Sequence, residues 1–291
     1  MNKKAAASVI RESKARKTFR VFNAVFLALV CIIVVIPIWN VLITSLAQDT
    51  DIMNGEYLII PKSITFHNYL KVFRSGYMKG FTNSIVIAVS GTALAMVVTV
   101  PMAYALSQKE LIGRKIFMKL ISITLVFDAG IMPFYILIKT LGLIDSRLSL
   151  ILPFAVSTFN LIVVKNFFTS IPVSLIEAAK LDGCNDFETL VRVVLPLSTP
   201  ILAAVTLFYF VSFWNRYTEA MMFINDSSKY TLQVMLRSLV FQNDGSLGDG
   251  AVVYNNTKMA VMILGMLPVM IIYPFVQKYF VTGLMLGGVK E

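Results

Sequence analysis

The sequence predicts an all-α integral membrane fold with six transmembrane helices. Of its 291 residues, 57% are hydrophobic and only 14% charged, whereas soluble domains carry nearer about a quarter charged residues. The apolar residues also fall in long blocks, with none of the ~10-residue alternation that a membrane barrel needs, so helices are the expected spanning structure. Finally, 16 of the 26 basic residues fall on one side of the resulting topology and 10 on the other, the asymmetry that orients a membrane chain.

Residues 1–20 form a basic segment with Lys3, Lys4, Arg11, Lys14, Arg16, Lys17 and Arg20 against one acid, Glu12. The first span, about 24–46, exceeds the ~7–15 apolar residues of a signal sequence, so an uncleaved anchor with a cytoplasmic N-terminus is expected. The mixed polar stretch 47–79 is the first outside segment, and a second span covers about 81–106. Lys109, Arg114 and Lys115 mark a short inside loop. A third span, about 116–138, leads through the tight turn LGLIDSRLS to a fourth at about 149–168. The fifth covers about 200–224 and the sixth about 258–276. The six-helix region is 21–280, and 281–291 is a short cytoplasmic tail. Pro37, Pro101, Pro133, Pro153, Pro268 and Pro274 lie within or at the ends of spans, where neighbouring helices can satisfy the freed carbonyls.

Several functions are disfavoured. His67 is the only histidine, which excludes histidine triads and multi-histidine metal sites. Cys31 lies in a span and Cys184 in a polar loop, so neither a mutual disulfide nor metal-ligand spacing is expected. The net charge of +10 does not indicate nucleic acid, because seven basic residues crowd the first twenty positions and no basic stripe carries interleaved aromatics. Enzymatic chemistry within the chain is not expected.

The inside loop 170–199 is longer than a turn requires. Ser174 can cap one short helix, with Glu177 completing a capping box, and Gly183 suits the left-handed position beyond its end. Asn185 can cap a second helix with Glu188, which Pro196 and Pro200 would close. Two short helices about a glycine turn make a rigid docking knob.

That loop reads Glu177-Ala178-Ala179, three residues, Gly183, and later Leu195-Pro196. The pattern resembles the EAA signature of ABC-importer permease subunits. Further likenesses to the maltose/oligosaccharide branch of that family are Asn68-Tyr69 with Val72-Phe73 before Asn83-Ser84, the stretch GIMPFYILIKTLGLIDS, Phe213-Trp214-Asn215 followed by Tyr230-Thr-Leu-Gln233, and the tail from Tyr279 to Lys290. Asp128-Ala129 departs from the small neutral residues of that branch, and Cys184 replaces a common alanine.

The resemblance implies a type I importer permease with a MetI-like fold and a cytoplasmic coupling helix. It also implies partners: a second, non-identical permease, a dimer of cytoplasmic ATPases that bind ATP and magnesium, an external solute-binding protein, and a carbohydrate. This chain would hold no cofactor of its own. Glu177, Ala178, Ala179, Asp182, Gly183, Leu195 and Pro196 would form the ATPase-coupling site. Glu177 can serve both as a helix cap and as an ion-pair partner for the ATPase.

Asp128, the one acid expected inside a span, should face a cavity, a partner or the interface, since a mid-bilayer charge costs about 2.5–3.5 kcal/mol on insertion scales. Tyr135, Thr158, Asn160, Tyr209, Trp214 and Asn215 combine the aromatic faces and polar groups that a sugar path uses. Interhelical hydrogen bonding for Asn160 and an interfacial position for Trp214 are the structural alternatives. The resemblance leaves another solute open, such as a polyamine, phosphonate or amino acid. A secondary carrier dependent on Asp128 is the reading from another class.

Overall fold

The computed structural model describes residues 14–48, 63–127, 129–241 and 255–288, and every regular element among them is helical. α1 (Lys14–Leu46) is a long apolar helix, exposed on all sides from residue 16 to 39. A helix apolar all round belongs in lipid or against another chain. α2 (His67–Arg74) is a short helix that pins the end of α1. Asn68 Nδ2 donates to the Ser45 and Ala47 carbonyls at 3.0 and 2.9 Å, and Asn256 Nδ2 reaches the Ala47 carbonyl at 3.3 Å. The Tyr69 hydroxyl shares a 2.7 Å hydrogen bond with Ser45 Oγ.

α3 (Tyr77–Ser107) is the central helix. Ser84, Ala88, Gly91, Thr92, Ala95, Thr99 and Ala103 are buried along it at roughly one-turn spacing. Small residues so placed let backbones approach closely, the main source of packing energy between helices in lipid. Gly91 requires this: a Cβ there would meet the Phe213 ring at 2.7 Å. Against α3 pack α6 (Thr158–Ser170), α9 (Thr199–Trp214) and α11 (Leu232–Phe241), and α9 also packs on α12 (Asn255–Gly288).

Among the described residues three helices, α1, α3 and α12, are each long and apolar enough to cross a membrane, and three bent pairs would bring the number of spans to six. The expected third span is two helices, α4 (Arg114–Val126) and α5 (Ile131–Thr140), meeting at 116°. Gly130 sits at the joint with φ 80° and ψ 167°, a conformation essentially reserved for glycine. Apolar composition alone conceals this break. The fourth expected span joins the 3₁₀ turns Arg147–Leu150 and Leu152–Phe154 to α6 at 41°. The fifth begins at an 86° corner between α8 (Asp186–Leu197) and α9. Its helix ends at Trp214 rather than near 224, and a separate helix, α10 (Thr218–Phe223), follows.

At the face opposite the 170–199 loop, a polar clamp joins the 141–147 turn to residues 225–230. Asp145, at φ 59°, accepts the backbone N–H groups of Asn225 and Asp226 at 3.1 and 3.0 Å, and Lys229 Nζ at 2.8 Å. Asn83 Nδ2 donates to the Ser228 and Tyr230 carbonyls, while Arg147 donates to Asn83 Oδ1 at 2.8 Å. The hydrogen bond from Lys229 and the backbone N–H of Asp226 hold the Asp145 carboxyl below its ordinary value. Its bonds with Ser228 hold Asp226 low in the same way, and Asp145 raises Lys229.

A lowered carboxylate stabilises the fold above its unfolded pKa and loses that contribution as pH falls through the folded one; a raised lysine does so below its unfolded pKa and loses it as pH rises through the folded one. The clamp is therefore complete between about pH 4 and pH 10. Asp145→Asn should lower the melting temperature of the detergent-purified protein at pH 7, with the gap from wild type closing once the pH falls below about 4. A gap independent of pH would exclude the ionic part of the clamp. In the core, Trp214→Phe removes the 3.0 Å hydrogen bond from Nε1 to the Gly265 carbonyl together with part of a fully buried ring. It should destabilise the protein by about 1–3 kcal/mol in thermal or denaturant unfolding.

Candidate functional site

The 170–199 loop is built from α7 (Val173–Leu181) and α8. α7 starts two residues earlier than a Ser174 cap would place it. Pro172 occupies the cap position, no side chain caps the helix, and Ser174 lies within the first turn. The capping box expected for Ser174 and Glu177 is thus not formed, which leaves the Glu177 carboxylate exposed and no longer committed to its own helix. Proline suits this start because its fixed φ and missing N–H forfeit nothing there.

The end of α7 follows the glycine reading. Gly183 has φ 86°, its N–H bonds the Lys180 carbonyl at 3.1 Å, and the Cys184 N–H bonds the Ala179 carbonyl at 3.0 Å. This pair of bonds is the Schellman closure, and it fixes the direction in which the chain leaves α7. Asp182 is the residue just before the turn and is exposed. Asn185 then caps α8: its Oδ1 accepts the Glu188 N–H at 2.8 Å and its own N–H donates to Glu188 Oε2 at 3.0 Å.

Pro196 does not close α8. It sits inside the helical segment, exposed, two residues past a π-helical stretch at Leu190–Val194, where the Leu195 N–H bonds the Leu190 carbonyl. The wider π turn makes room for the ring of a proline that would otherwise clash with the carbonyl four residues back. The chain turns instead at Ser198, with Pro200 in the first turn of α9. Leu195 is half-buried against the core, and Ala179 is buried on the inner side of α7.

The outer side of the knob presents Glu177 and Ala178 with large apolar side chains that nothing covers. Leu181 is 89% exposed and Phe187 72%, flanking the glycine turn. Two ion pairs, Lys180–Asp186 at 3.4 Å and Arg192–Glu188 at 3.5 Å, are solvated and contribute little to stability. Sequence reasoning did not single out Leu181 or Phe187. Their signal was visible only as apolar residues in a loop otherwise rich in charge.

The expected substrate-path residues do not converge. Tyr209 is 2% exposed, and its hydroxyl shares a 2.7 Å bond with Thr99 Oγ1 and accepts the Ser157 N–H at 3.0 Å, tying α9 to α3 and α6. Trp214 is 1% exposed and sits in the core against Phe81 and Phe210, not at an interface. Thr158 Oγ1 meets Thr124 Oγ1 at 3.0 Å, Asn160 is buried at the start of α6, and Asn215 is exposed at the end of α9. Asp128 lies outside the described residues. Tyr135 is half-buried and stacks on Phe223 at 6.2 Å.

Phe223 forms part of a cavity of about 360 Å³ beside the α4–α5 joint, whose wall also includes Phe134, Phe154, Met222, Thr218 and Glu219. Glu219 is held by Arg216, with Nη1 at 3.1 Å from Oε1. Neither residue was anticipated, because a charged pair three residues apart at the end of an apolar block reads as solvated flank.

Comparisons with known proteins agree with the loop. Residues 5–285 match the family described as binding-protein-dependent transport system inner membrane component. The chain is 40% identical over 273 residues to the polygalacturonan/rhamnogalacturonan transport system permease protein YtcP of Bacillus subtilis (strain 168), covering 91% of this chain and 96% of that one. It is 30% identical over 290 residues to the arabinooligosaccharides transport system permease protein AraQ of the same organism, covering 97% and 100%. A chain from the crystal structure of a bacterial ABC transporter involved in import of the acidic polysaccharide alginate superposes with a TM-score of 0.85 at 32% identity, over 92% of this chain and 99% of that one. The multi-pass helical architecture, the EAA loop and these matches agree, and the chain belongs to the family of binding-protein-dependent transport system inner membrane components, as a permease subunit of an ABC transporter and not an enzyme.

Proposed function

We propose that this permease forms half of the translocation pathway of an ATP-driven importer for an oligosaccharide or sugar derivative, and that α7 couples it to an ATPase. The observation that carries the coupling is the exposed face of the knob: a carboxylate freed from capping at Glu177, beside uncovered Leu181 and Phe187, on a helix whose exit is locked by Gly183. An apolar anchor with one charge and a small-residue flank at Ala178 suits docking into a protein cleft. Orientation follows from charge: the N-terminal basic segment and the loop face the cytoplasm, with the Asp145 clamp outside.

The complex consists of this chain, a second and non-identical permease, two ATPases that bind ATP and magnesium, and an external binding protein that delivers the solute. The names of the relatives support the carbohydrate class: polygalacturonan/rhamnogalacturonan for one, arabinooligosaccharides for another, and alginate for the solved structure.

Glu177→Lys should leave membrane insertion intact while abolishing ATPase co-purification and oligosaccharide uptake; normal co-purification would remove Glu177 from the interface. Gly183→Ala forces a side chain into a left-handed conformation at about 1–2 kcal/mol. Because that strain is relieved by rotating α7 relative to α8, we expect the ATPase to remain bound with its hydrolysis uncoupled from uptake. Coupled transport at the wild-type ratio in reconstituted vesicles would show that the angle does not matter.

A further inference from the structure

Arg216 follows α9 directly, and its side chain is only 9% exposed. The guanidinium lies 3.4 Å above the centroid of the Phe154 ring and 5.2 Å from that of Phe213, a stacking that suits arginine's planar, weakly hydrated cation. Its Nη1 donates to Glu219 Oε1 at 3.1 Å and Nη2 to Ser212 Oγ at 3.3 Å, while the buried Nε has no partner among the described residues. A buried cation of this kind requires a carboxylate beside it, because an isolated charge is strongly destabilising.

Glu219 is placed differently. Its side chain is 30% exposed and forms part of the wall of the cavity of about 360 Å³. A pair serving packing alone would enclose both charges. Here the cation is sealed behind Phe154, and the anion is turned towards open space with its orientation fixed from behind. The rest of the wall is aromatic and apolar, with the Thr218 hydroxyl as a further polar group. Small-molecule sites have this composition, apolar faces with a few convergent polar groups, and the volume falls at the low end of their range of about 300–1,000 Å³.

The chemistry discriminates among occupants. A lipid acyl chain cannot satisfy a carboxylate, so its entry would strip Glu219 of hydrogen-bond partners. A uronate would bring a second carboxylate beside Glu219 in a low-dielectric setting, where like charges repel strongly and Arg216, the cation beside it among the described residues, is already matched. An uncharged sugar ring fits both halves: its hydroxyls donate to the carboxylate, and its CH face lies on the half-buried Phe134 or Phe154 ring. Resting on the carbohydrate reading above, we propose that this cavity is a subsite for one uncharged sugar ring on the translocation path. Glu219 is its specificity-determining residue, and Arg216 is the positioning residue behind it.

The test uses the complete importer, with both permeases, the ATPases and the binding protein, in lipid nanodiscs. In a Cys31→Ser, Cys184→Ser background, Met222→Cys places a thiol in the cavity wall, and its labelling by a small maleimide is followed with maltotriose, arabinotriose or trigalacturonate present. A neutral trisaccharide should slow labelling at least about fivefold, and trigalacturonate should not. Glu219→Gln and, separately, Thr218→Val should each raise the trisaccharide concentration needed for protection, by about tenfold for Glu219→Gln, the order of one charge-assisted hydrogen bond. The melting temperature serves as the control for folding. Equal protection by trigalacturonate, or unchanged labelling with a trisaccharide that the complex transports, overturns the subsite while leaving the importer reading intact. A complex that transports no oligosaccharide overturns both.

Discussion

The closeness of α3 and α9 is the constraint on which the rest of the structure depends. Gly91 faces the Phe213 ring with no room for a Cβ, and the small residues above and below it keep the two helices in register. In lipid there is no hydrophobic gain from bringing two apolar helices together, so such an interface rests on close packing and a few hydrogen bonds. Here those bonds are the Tyr209 hydroxyl, which ties α9 to Thr99 of α3 and to the backbone at Ser157, and Trp214 Nε1, which ties it to the Gly265 carbonyl of α12. α9 is thereby fastened along its length, at Tyr209, and at its far end, at Trp214. One end emerges from the corner at Ser198, beside the 170–199 loop. The other runs directly into Arg216 and the cavity.

In this arrangement Tyr209 and Trp214, which suit a sugar path, also tie helices of the scaffold together. Tyr209, Trp214 and Asn83 are each half of a specific bond between elements distant in the chain, at separations that no local pattern reveals. A tyrosine within an apolar block reads the same in a sequence whether its hydroxyl points to a ligand or to a threonine on a neighbouring helix. The difference lies in the partner, and partners are set by packing. The converse holds for Glu219. Its position after an apolar block gives no hint that Arg216 would be buried between two rings and so turn the carboxylate towards a cavity.

What was legible in the sequence was local chemistry. The Asn185–Glu188 box and the left-handed Gly183 depend on residues within a few positions of one another, and both formed as their types dictate. The helical class and the apolar blocks depend on composition, which likewise needs no tertiary information. The failures share a different cause. Ser174 offered a cap, but Pro172 two residues earlier already fixed the helix start. Pro196 looked like a terminator, but a π turn at Leu190–Val194 accommodated it. The third expected span looked continuous, but the backbone at Gly130 turned it by 116°. In each case two local signals competed, and the winner was decided by where the neighbouring element had to go.

The same competition accounts for the freedom of Glu177. A carboxylate engaged in a capping box is committed to the backbone N–H of its own helix start, and removing it to bind a partner would sacrifice that bond. With Pro172 at the cap position there is no such N–H to satisfy, and the carboxylate can pair externally without destabilising α7. Fixing the helix start with proline and its end with the Schellman turn makes α7 rigid by means that do not involve its exposed side chains. The side chains of the outer face are then left out of the helix's own bonding. α7 connects to α9 through α8, and because α9 is held against α3 and α12, a displacement of α7 would have to appear as a shift of packed helices or as a change at the Ser198 corner rather than as bending within α9.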